Sequence, residues 1–274
     1  MFPRHFRVEK TLRSILCGLA FATSTASAGE ETSSTTWSGN LSTGWDSLYM
    51  FRGVNQLPGF GGYGSSLSWT SLTLVWSPTE VDSLSIGKWA AFGVGDTDYK
   101  ELDAYAVYTR TLGAISLSLG YAFYAVLNEP GGLFSHDLNF AAGYEVRWGT
   151  ATITPGLLYA FNLGPRPGDG GYVEQLSSYL EFRLDGNIPL PVRAVSLTPW
   201  ATVGFNFRHN VTGRTDPPSP FVGGDHISLG VALPFALRES VSIAPYVATS
   251  FEWSDLVDTR PVTFWGGTSV TVAF

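Results

Sequence analysis

Val262-Thr263-Phe264-Trp265-Gly266-Gly267-Thr268-Ser269-Val270-Thr271-Val272-Ala273-Phe274 is the stretch that decides the fold. Its even positions are Val262, Phe264, Gly266, Thr268, Val270, Val272 and Phe274; its odd positions are mostly small or polar, among them Thr263, Gly267, Ser269 and Thr271. That is the two-residue period of a strand with two unlike faces. The pattern persists to Phe274, the last residue given. A terminal apolar strand in a water-soluble sheet leaves an open edge. A sheet closed on itself, last strand against first, has no edge. The stretch therefore reads as the closing strand of a barrel, with the closing strand of a soluble β-sandwich as the alternative.

Composition separates these two. The chain has 274 residues, enough for one β-domain. Hydrophobic content is 44% and mean hydropathy is only +0.10. Past the N-terminus no run approaches the roughly 20 apolar residues of a membrane helix. Yet charged residues are 14%, aromatics 14%, and there are 31 glycines. Low charge without long apolar runs fits a transmembrane barrel, in which each strand shows half its residues to lipid.

The N-terminus carries a secretory signal pattern. Arg4, Arg7, Lys10 and Arg13 form a basic region, Ser14 to Ala22 a short apolar core, and Ala26-Ser27-Ala28 a small-residue cleavage site. Residues 1–28 are thus expected to be removed, 29–36 to form a Ser/Thr-rich linker, and 37–274 to form the barrel. The apolar core is too short for a membrane anchor, and Leu16 before Cys17 is bulkier than a lipid-attachment site accepts. Cys17 is the only cysteine, so the mature chain is expected to have no disulfide and no thiolate metal site. Removing residues 1–28 leaves 12 basic against 22 acidic residues, a net charge of −10. An acidic chain without a basic stripe argues against nucleic acid as a partner.

Alternation and turn residues predict twelve strands. They span about Trp37–Val54, Ser65–Ser77, Ser83–Val94, Lys100–Arg110, Ala114–Leu127 and His136–Trp148. The second six span about Ala151–Leu163, Tyr172–Asp185, Val192–Arg208, Asp225–Leu237, Val241–Trp253 and Val262–Phe274. The sixth is the clearest: Leu138, Phe140, Ala142, Tyr144, Val146 and Trp148 oppose Asp137, Asn139, Gly143, Glu145 and Arg147. In the first, Trp37, Leu41, Trp45, Tyr49 and Phe51 share one face. The second and third have open registers, because Lys88 shares a face with Leu84 and Ile86. Pro155, Pro199, Pro234 and Pro245 fall inside strands and predict bulges or displaced boundaries.

The longer connections follow odd-numbered strands and the shorter ones follow even-numbered strands. Outer-membrane barrels pair short periplasmic turns with longer external loops around an even number of strands. Aromatics gather at strand ends, at Trp37, Tyr49, Phe51, Trp76, Trp148, Phe161, Phe207, Trp253 and Phe274, as in interfacial girdles. A sandwich would place them in mid-strand cores. The expected fold is an all-β, transmembrane, antiparallel up-and-down barrel of about 12 strands.

Opposite the lipid face lie Asp46, Arg52, Asp103, Glu145, Arg147, Glu181, Arg183, Arg208 and Glu252. They predict a polar lumen whose charges set selectivity. Glu145/Arg147 and Glu181/Arg183 place both signs on one face, which also suits an ion-pair plug. A lipid hydrolase is a further alternative: His136 and His226 open strands near Ser135, Ser228, Asp137 and Asp225, but no G-x-S-x-G is present. There is no H-E-x-x-H or P-loop, and Asp96, Asp98 and Glu101 read better as a solvated acidic loop than as a cation site. No cofactor or metal is expected.

Ser47-Leu48-Tyr49-Met50-Phe51-Arg52-Gly53-Val54-Asn55-Gln56 resembles the signature near the start of the TorF-type porin family. Tyr49, Phe51, Arg52, Gly53 and Gln56 match; Leu48 stands where the family usually has Asp, and Asn55 where Ser is common. Glu101-Leu102-Asp103 resembles the acidic strand start further on in that family. The resemblance implies an outer-membrane barrel with a channel role. The end of the chain likewise resembles the C-terminal signature of bacterial outer-membrane barrels, through Val270, Val272 and Phe274. It implies outer-membrane lipids and the barrel-assembly machinery as partners, besides small polar solutes or ions. The Arg52 fork suits carboxylates of neighbouring strands near the outer mouth, and Gly53 lets the backbone bend there. Passive diffusion of small polar solutes is the expected function. A non-conducting barrel acting through its external loops is the rival.

Overall fold

The computed structural model describes residues 35–57, 64–127, 133–163, 178–192, 194–207, 222–252 and 262–274. The signal segment, most of the linker, Arg208 and Trp253 lie outside them. Twelve antiparallel strands make one closed sheet. The first six are β1 Thr36–Asp46, β2 Ser66–Ser77, β3 Asp82–Val94, β4 Lys100–Leu112, β5 Ile115–Val126 and β6 Leu133–Tyr144, the last resuming as Val146–Trp148. There follow β7 Ala151–Asn162, β8 Ser178–Pro189, β9 Ser196–Phe207, β10 Val222–Ala232 resuming as Phe235–Arg238, β11 Val241–Glu252 and β12 Thr263–Ala273.

The decisive stretch closes the ring. β12 pairs with β1 from Asn40↔Ala273 to Asp46↔Gly267. Beyond the ladder, Gly39 and Phe274 exchange backbone hydrogen bonds of 2.8 and 3.0 Å. The Phe274 ring lies on Gly39, where a Cβ would come within 2.7 Å of it; only glycine admits the ring at this distance.

Alternation sorts the side chains in the sense opposite to a soluble protein. Leu41 and Trp45 on β1, Ile115, Leu117 and Leu119 on β5, and Phe182 and Leu184 on β8 are exposed. Asp137 and Asn139 on β6, Asn162 on β7 and Asn206 on β9 are buried. The apolar surface is solvated by lipid, and the backbone polar groups are spent on the closed ladder.

Thr36 at the start of β1 and Phe274 share one end with the short connections 78–81, 113–114, 149–150 and 239–240 and with the described residues 190–192 and 194–195. Gly113 and Gly149 have positive φ in the two-residue turns, as tight hairpins require. The other end carries, among the described residues, 47–57, 64–65 and 95–99. At the short-turn end Trp37 stacks on Trp76 at 6.2 Å, and Trp148 is 78% exposed, with Phe274 beside the seam. These rings form the expected interfacial collar.

The four prolines act differently. Pro199 and Pro245 sit within their ladders, opposite Val231 and Thr268. Pro155 accompanies the interruption of β6 at Glu145, yet the register is the same on either side, Gly156↔Gly143 and Ile153↔Val146. Pro234 splits β10, and its carbonyl accepts the Ser196 N–H at 3.1 Å. A missing N–H donor removes a rung without shifting the strand.

Several boundaries differ from the sequence expectation. β8 runs through Gly186 to Pro189 rather than ending at Asp185. β1 stops at Asp46 rather than continuing to Val54. The ladder ends locally: the Ser47 N–H still donates to Gly266 O at 2.8 Å, but the Gly266 N–H goes to the Ser47 hydroxyl at 3.0 Å instead of a backbone carbonyl. The open registers resolve with Leu67, Trp69, Trp89 and Ala91 buried inside the barrel and Lys88 facing out, between Leu72 and Ala104.

Candidate functional site

Residues 47–57 leave the wall and fold into the barrel. Their centre is a two-rung hairpin, Met50↔Asn55 and Phe51↔Val54. Arg52 (φ 47°) and Gly53 (φ 79°) occupy its two turn positions, the left-handed pair of a type I′ turn. That conformation costs a non-glycine residue about 1–2 kcal/mol, so contacts must hold Arg52 there.

They are supplied by the opposite wall. Arg52 Nη2 lies 2.6 Å from Asp137 Oδ2 on β6, both side chains buried. The guanidinium carbon sits 4.8 Å from the Phe51 ring centre and 4.8 Å from that of Tyr179 on β8. Asn162 on β7 donates to Asp137 Oδ1 at 3.1 Å and to Ser135 at 2.6 Å. Burial works against the charge of Arg52; Asp137, with Tyr124 and Tyr179 beside it, outweighs this and raises its pKa above the ordinary arginine value.

The rest of the hairpin is fixed as firmly. Tyr49 donates to Glu101 Oε2 at 2.7 Å, and Tyr99 donates to the same oxygen. The Tyr49 ring packs on Trp89 at 5.7 Å and Tyr99 at 5.3 Å, in a buried cluster with Leu57, Leu67 and Trp69. Met50 packs with Trp200, Ala248 and Trp265 across the lumen. Gly53 lies against the His226 ring of β10, where a Cβ would come within 2.0 Å of Cγ. The Gln56 N–H closes the hairpin onto Tyr49 O at 2.8 Å. Tyr49, Phe51, Arg52, Gly53 and Gln56, five residues of one short motif, therefore make one inward element. Tyr49 and Phe51 do not continue the outward face of Trp37, Leu41 and Trp45 and are not girdle residues. The chain turns inward after Asp46 and carries them with it.

Nor is the interior uniformly polar, as the charge pattern predicts. Its β2–β3 side is apolar at the long-loop end. Asp46 is buried there and bound by neutral donors, Trp69 Nε1 at 2.8 Å and Tyr246 Oη at 2.6 Å. Asp103 is buried on the same side, one inward position from Glu101. Elsewhere hydroxyls line the wall: Ser42 meets Thr271 at 2.9 Å, Thr109 meets Ser118 at 2.8 Å, and Thr73 meets Tyr105 at 2.6 Å.

Beside the hairpin a small cavity of about 30 Å³ remains. Met50, Arg52 and Gly53 form one side. Glu181 and Arg183 of β8, Trp200 and Thr202 of β9, Ser228 of β10 and Trp265 of β12 form the others. Arg183 Nε binds both oxygens of Asp185, at 2.9 and 2.8 Å, while Glu181 accepts from Tyr179 Oη at 2.8 Å. Arg147 and Glu145 pair at 2.7 Å at the short-turn mouth, where Arg147 is 59% exposed. Arg208 and the Glu252 side chain lie outside the described residues. The alternation does not single out Asp137, Tyr179 and Asp185 as partners; the one available signal is that each follows the inward parity of its strand. Val270 and Val272 face outward.

The serine–histidine pair of a hydrolase is not assembled among the described residues. His136 Nδ1 is hydrogen-bonded to the Tyr121 hydroxyl on the outer face, and Ser135 to Asn162. His226 Nε2 lies 3.4 Å from Thr202, and Ser228 pairs with Ser250 at 2.9 Å.

No family model and no curated protein matches the chain. Solved structures do. An outer-membrane channel from Pseudomonas putida F1 superposes with a TM-score of 0.55 at 12% identity, over 91% of this chain and 100% of that one. KdgM porin superposes with a TM-score of 0.50 at 8% identity, over 86% and 99% of the two chains. NanC porin gives a TM-score of 0.50 at 8% identity, over 86% and 98%. At such identities the likeness is one of fold, that of twelve-stranded outer-membrane porins and channels.

Proposed function

We propose that the protein is an outer-membrane channel of the TorF type for passive diffusion of small polar solutes, narrowed by the hairpin at 47–57. The observation that carries this reading is the clamp between Arg52 and Asp137, which holds the hairpin across the lumen while a cavity persists beside it. A barrel that only anchored loops would gain nothing from a strained turn held by buried ions. The lumen charges Asp46, Arg52, Asp103, Glu145, Arg147, Glu181 and Arg183 set what passes, and most are matched by a charged or hydrogen-bonding neighbour, which favours small polar solutes over one kind of ion. In this reading residues 1–28 direct export, residues 37–274 form the barrel in the outer membrane, and Val270, Val272 and Phe274 are presented to the assembly machinery. The solved porins and channels of the same fold support it.

A second reading has its own observation. The cluster around Tyr49, Trp69 and Trp89 fills part of the lumen with apolar side chains, which suits a barrel that does not conduct. Single-channel recording of the refolded protein in a planar bilayer separates the two. Steady openings, enlarged when residues 48–56 are replaced by a Gly-Ser linker, support the channel. A folded barrel silent in both forms overturns it in favour of the second reading.

A further inference from the structure

Four side chains on the outward wall do not suit lipid. They are Thr268 on β12, Thr43 on β1, Thr70 on β2 and Lys88 on β3, all exposed, on neighbouring strands around the closing seam. Elsewhere the same face carries large apolar residues, such as Leu117 and Leu119 on β5, Phe182 and Leu184 on β8, and Leu229 on β10. A lysine surrounded by lipid is costly, and ionisable side chains inside a membrane usually face another protein surface or water.

The four form a belt at one depth. On these strands the short-turn rim passes through Phe274, Trp37, Trp76 and Asp82, with Trp37 stacked on Trp76. Each belt residue lies six positions along its own strand from that rim: 268 from 274, 43 from 37, 70 from 76 and 88 from 82. The rim itself follows a line of constant depth. From Phe274 the ladder leads across to Gly39, Leu74 and Ile86, and the rim on β3 has drifted four residues from Ile86, to Asp82. Three strand spacings of about 4.8 Å at a tilt of about 40° require a drift of about four residues. At about 3.3 Å per residue and that tilt, six positions put the belt about 15 Å from the rim, near the middle of an apolar band about 25 Å tall.

Within the belt the hydroxyl protons of two threonines are already used. Thr43 donates to Trp69 O at 3.0 Å and Thr70 to Thr43 at 3.3 Å, so their oxygens keep lone pairs as acceptors. Lys88 brings three donors and no acceptor. The belt thus has a donor at its β3 end and acceptors along the rest. Ala90 and Ala104, ladder neighbours of Thr70 and Lys88, keep the wall low enough for another wall to approach.

We propose that this belt is the contact face for a second copy of the chain. Two barrels inserted the same way are related by an axis along the membrane normal, which preserves depth, so belt meets belt. A two-fold axis between β1 and β2 sets Lys88 against Thr268 of the partner subunit and Thr70 against Thr43 of the partner subunit, and the reverse. The two lysines then lie at opposite ends of the contact and do not face each other. The contact does not depend on conduction, so the interface and the channel reading fail separately.

The test is energy transfer between barrels labelled at the N-terminus with donor or acceptor dye, purified and refolded into lipid vesicles at increasing protein-to-lipid ratio. Saturable pairing is expected, weakened about tenfold by Lys88→Leu. Thr43→Val removes an acceptor without removing a charge and should weaken pairing as well. Residues 29–274 contain no cysteine, so a mixture of Thr43→Cys and Thr70→Cys proteins should give a disulfide-linked dimer on oxidation, whereas Leu119→Cys on the far wall should not. At one barrel per vesicle the belt meets only lipid, and there Lys88→Leu should stabilise the barrel. Barrels that stay monomeric at every ratio would overturn the proposal and leave the belt to a different membrane protein bearing a carboxylate. Full pairing in folded Lys88→Leu and Thr43→Val proteins, or cross-linking through Leu119→Cys as strong as through the seam, would overturn it too.

Discussion

Asp137, midway along the sequence on β6, holds Arg52 at 2.6 Å from across the lumen. The two are 85 residues apart, and each is shut away from solvent, so neither charge is tolerated alone. Breaking such a pair from one side costs about 3–5 kcal/mol. Arg52→Ala should therefore lower stability by that order in urea unfolding from lipid vesicles and raise single-channel conductance as the hairpin loosens. Arg52→Ala with Asp137→Ala should lose less stability than the single variant, because no buried carboxylate is stranded. Additive losses would mean that the pair is not coupled.

Two glycines make a contrast. Gly53 (φ 79°) lies on the His226 ring, whereas Gly149 (φ 59°) has nothing within 4 Å of a built Cβ. Gly149→Ala should cost only the left-handed strain of about 1–2 kcal/mol and leave conductance alone. Gly53→Ala adds a clash that backbone strain does not describe, so the hairpin should unseat and conductance should rise. Equal conductance in the two variants would show that the hairpin does not limit flow.

Lys88 faces outward from the middle of β3, between Leu72 and Ala104. A lysine at the bilayer midplane costs about 2–4 kcal/mol. Lys88→Leu should raise the free energy of unfolding from vesicles by part of that amount, with the current unchanged. A loss of stability instead would mean that this face is covered by something other than lipid tails.

Arg183 and Arg147 belong to the same predicted lumen set but to different surroundings. Arg183 is held by Asp185 beside the cavity, while Arg147 is mostly exposed at the mouth. Charge at a constriction governs selectivity, and charge in solvent is screened within about 8 Å at physiological salt. Arg183→Glu should shift the reversal potential in a salt gradient toward cations, and Arg147→Glu should shift it far less. The opposite order would place the selective constriction at the short-turn mouth.

The fold was legible wherever the two faces differ in kind. On β6, Leu138 and Phe140 oppose Asp137 and Asn139, and both register and facing follow. Where Leu67, Trp69, Trp89 and Ala91 supply apolar side chains to the inside as well, alternation loses its sign and β2 and β3 stay ambiguous. The hairpin was hidden by parity: Tyr49 and Phe51 continue the odd positions of Trp37, Leu41 and Trp45, so the strand reads straight through the place where the chain leaves the wall. The contrary signal is Arg52-Gly53 between Phe51 and Val54, a residue followed by glycine at the centre of a two-residue hairpin turn. Partners such as Asp137 and Tyr179 were beyond reach, because curvature of the closed sheet, not sequence distance, brings them to the hairpin.

The docked hairpin also orders events in time. Its contacts come from strands scattered along the chain: Glu101 and Asp137 from the first half, Tyr179 and His226 later, and Gly266 on β12. Long-range contacts form late, after intervening loops have closed. A hairpin that needs walls from β4 to β12 has nowhere to seat until the ring is whole. Its burial is then expected to be the last step of folding, so a change in fluorescence from Trp89 beside Tyr49 should lag behind formation of the sheet; a change that precedes it would refute this order.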